Sequence, residues 1–273
     1  MSKLYTTDGK VRWFANEEDV NTKLISILGE KFETYRKKWD QVNLFELETE
    51  FPLFLQVETN QICNLKCPAY PIGVPEAHEK YISQDKMSWN MYEKIILEAE
   101  KYNCPSIEPQ GTNEPLLDQD LEKYIKFASD HGFLDIMMNT NATVLTESRS
   151  RSMLKSGITR LRFSLDAASK DTYEKIRVGG NYETTIKNIE TFLKIRKNEN
   201  YQLPVVGVNF CKTSHNEHEE EKFVDTWIDK VDFIVIQEFQ PPELENSYAD
   251  FLPSTSKYRE KIVNSISKLM NLD

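Results

Sequence analysis

The segment Glu58–Gly73, ETNQICNLKCPAYPIG, carries the most specific chemical pattern in the chain. It follows an apolar run, FLQVETN (Phe54–Asn60), whose length and composition are typical of a strand. Cys63 and Cys67 are four residues apart in this segment, and a loop after a strand lets two thiols converge on one metal or cluster. Two cysteines alone also fit a pair of small, half-buried residues, so the rest of the sequence must distinguish these alternatives.

A zinc site would need a second pair of ligands, and the sequence does not offer one. His78 stands alone, and Cys104 and Cys211 are isolated far downstream. Four cysteines in 273 residues do not make a disulfide framework, so a reducing cytoplasm is expected.

Composition excludes several other classes of protein. Charged residues make up 29% and hydrophobic residues 39%, which argues against a disordered chain and against a membrane bundle. No apolar run approaches the roughly 20 residues that span a bilayer, and the first residues lack a signal-peptide core, so no membrane association is expected. The formal net charge of −10 disfavours non-specific nucleic-acid binding.

Apolar runs of strand length alternate with charged stretches of helical period. The runs are Phe54–Asn60, Ser106–Gly111, Leu134–Asn141, Arg160–Ala167, Pro204–Cys211 and Phe233–Phe239. The helical stretches are Met91–Tyr102, Leu121–Gly132, Thr146–Gly157, Tyr182–Arg196 and Glu217–Lys230. This alternation predicts an α/β fold with parallel strands, either a doubly wound sheet or part of a barrel, and places reactive groups at the carboxyl ends of the strands.

Four motifs in order resemble the radical S-adenosylmethionine (SAM) superfamily, whose signature is C-x3-C-x2-C after the first strand. ICNLKCPAY supplies the first two cysteines, and PQGTNEPLL is similar to the family's glycine-glycine-glutamate motif with Thr112 in place of the second glycine. MNTNAT and RFSLDAAS resemble two further strand ends of the family. The resemblance covers about residues 52 to 240 and is closest to the SPASM/twitch-related branch. It implies a (βα)6 partial TIM barrel with an N-terminal helical extension and a C-terminal helix.

The resemblance also implies cofactors and site residues. In the family, three thiolates hold a 4Fe–4S cluster, and SAM binds its open iron through its amine and carboxylate. Cys63 and Cys67 are the implied metal ligands. The implied SAM-binding residues are Gly111, Glu114, Asn139, Asn141, Arg162, Ser164 and Asp166, with Glu114 at the ammonium and Ser164 at the ribose. Val206, Val208 and Asn209 are expected around the adenine.

One residue departs from the family pattern. Tyr70 occupies the third ligand position, and a phenol is bulkier than a thiol, has a higher ordinary pKa, and is a hard ligand that suits iron–sulfur clusters poorly. Two interpretations follow. In one, the protein cleaves SAM reductively and its radical abstracts hydrogen from an unknown substrate, with the cluster site compromised by Tyr70. In the other, a cluster-free relative binds SAM, a substrate or a partner without catalysis.

The chain divides, by this interpretation, into an N-terminal helical extension (1–50), a barrel core (51–240) and a C-terminal linker and helix (241–273). A single helix is expected at Glu17–Trp39 and another near Ser256–Met270. The expected partners are a small-molecule or peptide substrate and an external electron donor. The sequence has no cysteine after Phe239, so no auxiliary cluster is expected in this chain.

Overall fold

The computed structural model describes residues 3–6, 11–15, 18–70, 73, 86–241, 246–254 and 256 of the chain. His78 and the expected terminal helix beyond Ser256 lie outside these residues. The strands, in chain order, are β1 (Lys3–Thr6), β2 (Val11–Ala15), β3 (Phe54–Gln56), β4 (Ser106–Glu108), β5 (Asp135–Thr140), β6 (Arg160–Ser164), β7 (Val205–Lys212) and β8 (Phe233–Glu238).

Helices precede, separate and cover these strands. In chain order they are α1 (Val20–Leu28), α2 (Glu30–Asn43), α3 (Trp89–Lys101), α4 (Leu121–Asp130), α5 (Glu147–Lys155), α6 (Lys170–Ile176), α7 (Tyr182–Asn198) and α8 (Glu220–Trp227). Short 3-10 turns lie at Pro115–Leu117, Glu217–Glu219 and Asn246–Phe251. None of the helices described is long and apolar enough to cross a membrane.

The sheet contains six parallel strands in sequence order, from β3 to β8, as the predicted (βα)6 partial barrel requires. Strand β3 forms one edge, so the barrel is open. At the other side β2 pairs antiparallel with β8, and β1 pairs antiparallel with β2. Apolar faces of α3 to α8 pack on the parallel strands and form the main core.

The N-terminal flank differs from the expectation of one helix at Glu17–Trp39. That prediction is wrong, because Gly29 has φ +75° and its N–H donates to the Ile25 carbonyl at 2.8 Å, which ends α1 before α2 begins. A side chain is disfavoured at such a φ, whereas glycine adopts it freely. Strands β1 and β2 were not anticipated either, since the expectation for residues 1–50 was a helical extension.

The parallel strands have one consequence for the chemistry. Their carboxyl ends meet at one rim of the barrel, where the loops after β3, β4, β5 and β6 lie close together. The segment after β3 that holds the two cysteines is one of these loops. Cys104 lies before β4, at the opposite end, and its thiol contacts the Ser106 carbonyl at 3.7 Å.

Candidate functional site

A cavity of about 300 Å³ opens at this rim. Its lining residues come from the loop after β3 and from the ends of β4 to β8: Cys63, Leu65, Cys67, Tyr70, Gln110, Gly111, Thr112, Asn113, Glu114, Asn139, Thr140, Asn141, Arg162, Ser164, Arg177, Asn209 and Gln237. A smaller cavity of about 90 Å³ shares six of these residues and adds Asp166 and Cys211. The structure therefore brings the predicted cysteines and SAM-binding residues to one rim. Val206 and Val208, which were expected around the adenine, line neither cavity and are buried in the main core instead.

Backbone hydrogen bonds hold the cysteine loop against its neighbours. The Lys66 N–H donates to the Val178 carbonyl at 2.8 Å, and the Ile62 carbonyl accepts from the Glu114 N–H at 2.9 Å. Leu65 is buried, which fixes the segment between the two cysteines. The loop is thus tied both to the end of β4 and to the turn after α6.

Glu58 joins this loop to the residues after β4. Its Oε1 accepts from the backbone N–H groups of Thr112 and Asn113 at 2.7 and 3.1 Å. A Cβ atom at Gly111 would lie 2.7 Å from the Glu58 carboxyl carbon, so a side chain there would displace the Glu58 carboxylate. The glycine predicted to approach SAM therefore has a structural reason of its own.

Cys63 and Cys67 both line the larger cavity. Burial raises the pKa of Cys63 to about 11. Burial also raises the pKa of Cys67, which is 8% exposed. Both side chains are neutral thiols near pH 7 in this arrangement.

Tyr70 occupies the third ligand position and lies near residues of β7. It lines the smaller cavity together with Cys211, although 42% of the whole residue is exposed. Proximity to Cys211, and then burial, raise the pKa of the phenol well above its ordinary value. Among the described residues, no three His, Cys, Asp or Glu side chains are grouped so that they could hold a metal ion.

Arg177, at the end of α6, is a site residue that the sequence did not reveal. It is 8% exposed, forms an ion pair with Asp166, and its Nη1 lies 3.9 Å from Cys67 Sγ. Its Nε is buried without a partner. The only signal in the sequence was that Arg177 lies two residues before Gly179 and Gly180. Glycine is common just after the end of a helix.

Asp166 adopts φ +60° and its carboxylate is already engaged. One oxygen is in the ion pair with Arg177, and the other accepts from the Cys211 N–H at 2.7 Å. Contact with a ribose stays a prediction for this residue. What the structure shows is that Asp166 connects β6, α6 and β7.

Glu114 is 2% exposed and also has partners within the chain. Oε1 accepts from the Leu116 N–H and the Thr140 hydroxyl at 3.0 and 2.6 Å, and Oε2 accepts from the Asn141 N–H at 2.7 Å. Burial raises the pKa of this carboxyl above its ordinary value. A carboxylate accepts about four hydrogen bonds, so Oε2 retains one site for a donor in the cavity.

The two asparagines of β5 are held in different networks. Asn139 donates to Glu108 Oε1 at 2.9 Å and accepts from Asn209 at 3.0 Å inside the barrel. Asn141 donates to Asn64 Oδ1 at 3.0 Å, which fastens the end of β5 to the cysteine loop. Their amides shape the cavity, and binding of SAM by them stays a prediction.

Arg162 and Ser164 alternate along β6 and both line the two cavities, as their spacing predicted. The closest carboxylate oxygen to Arg162 is Glu108 Oε1 at 4.0 Å, and burial lowers the pKa of the guanidinium. Three polar atoms of residues that line the cavity are buried without a partner: Asn113 Nδ2, Arg177 Nε and Asn209 Oδ1. The wall therefore presents donors and acceptors that the protein itself does not satisfy.

Comparisons with known proteins agree with this architecture. The family model of the radical SAM superfamily matches residues 57–224, which is more than half of the chain. A probable GTP 3',8-cyclase of Methanococcus maripaludis is 31% identical over 195 residues, which are 70% of this chain and 61% of that protein. A GTP 3',8-cyclase of Clostridium botulinum is 32% identical over 143 residues, or 52% of this chain and 44% of that one. The chain thus spans less than two thirds of the length of these relatives.

Solved structures share the fold. SuiB of Streptococcus suis, crystallised with its precursor peptide SuiA, has a TM-score of 0.60 at 16% identity and covers 88% of this chain and 51% of its own. The protein anSMEcpe with bound AdoMet has a TM-score of 0.57 at 18% identity over 76% of this chain and 55% of its own. Members of this family use SAM and a 4Fe–4S cluster. By the match over residues 57–224 and the six-strand parallel barrel, the chain belongs to the radical SAM superfamily.

Proposed function

We propose that this chain binds SAM in the 300 Å³ cavity at the rim of the barrel. The observation that carries the proposal is a set of three buried polar atoms without partners on the cavity wall: Asn113 Nδ2, Arg177 Nε and Asn209 Oδ1. Each such atom costs about 1–3 kcal/mol unless a ligand satisfies it. SAM has carboxylate, ammonium, ribose and adenine groups that offer the complementary donors and acceptors.

The predicted residues take specific positions in this proposal. Ser164 binds a ribose hydroxyl, because the structure describes no hydrogen bond to its side chain and it faces both cavities. Glu114 receives the ammonium on the free site of Oε2. Gly111 lets the backbone approach the methionine part of SAM, and Asn209 faces the adenine.

The described residues match only two of the three ligand positions of the family's cluster. Cys63 and Cys67 supply two thiols at the cavity, whereas the third position holds a phenol, that of Tyr70, which lines the smaller cavity beside Cys211. Phenolate is a hard ligand, and clusters of this type are held by thiolates. We therefore propose SAM binding itself, without SAM cleavage, as the function that the geometry supports best.

The second candidate is the family's reaction, reductive cleavage of SAM followed by hydrogen-atom abstraction from a substrate. It is favoured by one observation, that Cys63 and Cys67 both line the cavity. Since relatives that share about 30% identity carry the name GTP 3',8-cyclase, GTP is the first small-molecule substrate to test, with a peptide as the other class. This candidate needs an external electron donor and a cytoplasmic location, and it predicts 5'-deoxyadenosine when dithionite, SAM and GTP are supplied.

Isothermal titration calorimetry with SAM tests the first candidate. We expect saturable binding by the unaltered chain and an affinity reduced about 3- to 10-fold in Ser164→Ala, the effect of one lost hydrogen bond. Ser152→Ala, on the exposed face of α5, is the matched control and leaves the affinity unchanged. Absence of binding at millimolar SAM would refute the proposal.

A further inference from the structure

We propose that this chain binds SAM without an iron–sulfur cluster, and that the buried N–H donors of Asn113 and Arg177 hold the SAM carboxylate in place of iron. The inference rests on the proposed binding of SAM and adds how the amino-acid end of SAM is held. Tyr70 is the residue that decides the matter, because it replaces the thiol that would complete a ligand set with Cys63 and Cys67.

The first step of the argument concerns the vacated ligand position. Tyr70 does not leave a gap there, since its ring centre lies 5.9 Å from the Arg177 guanidinium carbon and it lines the smaller cavity together with Cys211. Cys211 is in turn fixed by its own N–H, which donates to Asp166 at 2.7 Å. The phenol is thus part of a continuous set of contacts that joins the loop after β3 to β7.

The second step concerns Cys67. Its Sγ contacts Arg177 Nη1 at 3.9 Å, and the charge of that guanidinium is balanced by Asp166. The thiol therefore already has a cationic neighbour, held in position by a buried ion pair.

The third step concerns the donors that remain. Asn113 and Arg177 are each 8% exposed, both line the cavity, and Asn113 Nδ2 and Arg177 Nε have no partner. Both atoms are N–H donors, which suits a carboxylate. Asn113 Oδ1 accepts from the Gly111 N–H at 3.0 Å, and this bond fixes which end of the amide is available.

Iron and sulfide content after anaerobic reconstitution tests the role of Tyr70. We expect well under one iron per unaltered chain and about four in Tyr70→Cys, which completes three thiolates. Tyr102→Cys is the matched control, since Tyr102 is 41% exposed and lies at the end of α3; it should bind no more iron than the unaltered chain. About four irons in the unaltered chain, or none in Tyr70→Cys, would overturn the proposal.

Comparison of SAM with decarboxylated SAM tests the carboxylate contact by calorimetry. We expect the unaltered, iron-free chain to prefer SAM at least about tenfold, and Asn113→Asp to lose most of that preference. This substitution retains the acceptor for the Gly111 N–H, removes the N–H donor, and adds a negative charge that repels the SAM carboxylate. Equal affinities for the two ligands in the unaltered chain would overturn the carboxylate assignment. If the unaltered chain binds neither ligand, the proposed function itself fails, while the iron measurements still report on Tyr70.

Discussion

Glu108 is a buried carboxyl group in the interior of the barrel, and its burial changes its pKa. It is 8% exposed, accepts hydrogen bonds from Gln56 and Asn139 at 3.3 and 2.9 Å, and has Arg162 at 4.0 Å. Burial raises its pKa above the ordinary value of 4.5 despite these partners. The folded state therefore binds this proton more tightly than the unfolded state does.

The pH dependence of stability follows from that difference. Because the folded pKa of Glu108 is raised, its contribution to stability falls as the pH rises from 4.5 toward the folded pKa. We expect Glu108→Gln to gain in free energy of unfolding relative to the unaltered chain between pH 4 and pH 7, as measured by urea titration. Glu46→Gln, at an exposed position, should show a constant difference, and a constant difference for Glu108→Gln would contradict the prediction.

At the scale of elements, α7 begins directly after the turn that carries Arg177. Asn181 is its N-cap, and the side chain accepts from the Thr184 N–H at 2.9 Å. Gly180 precedes it, where a Cβ would lie 2.9 Å from the Tyr173 ring. Capping and close packing together fix where the chain leaves the site and enters the helix.

Loss of this cap has a predictable effect. Asn181→Ala should lower the free energy of unfolding by about 1 kcal/mol, because one N–H at the helix start loses its acceptor. Asn181→Asp keeps an acceptor and a favourable charge at the helix start, so its stability should stay close to that of the unaltered chain. Urea unfolding measures both variants, and an equal loss in both would show that the cap is not the cause.

At the scale of the whole molecule, Arg160 connects the barrel to the N-terminal helices. Arg160 of β6 donates to both oxygens of Asp135 at 2.7 and 2.8 Å and to Asn21 of α1 at 3.0 Å. Its guanidinium carbon lies 5.6 Å from the Phe32 ring centre in α2. Asp135 has no exposed surface, so the ion pair of Arg160 with Asp135 is buried beneath α1 and α2.

Asp135→Ala should be severe, since it leaves a buried guanidinium without its counter-charge. A loss of about 3–5 kcal/mol in urea unfolding is expected, together with faster proteolysis within α1 and α2. The double variant Asp135→Leu with Arg160→Leu removes both charges and should be less destabilised than Asp135→Ala. If the double variant loses as much stability as the single one, packing and not charge would explain the effect.

The sequence predicted the six parallel strands and most of the cavity residues. Ser164 and Arg162 were predictable because alternation along a strand and the shared rim of a parallel sheet are local consequences of the pattern. Arg177 was not, because it lies 110 residues from Cys67 and contacts it only through folding. The break between α1 and α2 was missed because helical periodicity continues across Gly29, whose φ is visible only in the structure.

The alternation of strands and helices, the spacing of Cys63 and Cys67, and the phenol at position 70 belong to the sequence, because each depends on neighbouring residues alone. The contact of Tyr70 with Arg177, the position of Arg177 beside Cys67, and the hydrogen bonds of Glu114 with Thr140 and Asn141 are decided by the tertiary structure. The physical reason is the same for all three, because each contact joins residues from separate loops, strands or helices. Only strand register and loop closure determine which side chains come within bonding distance.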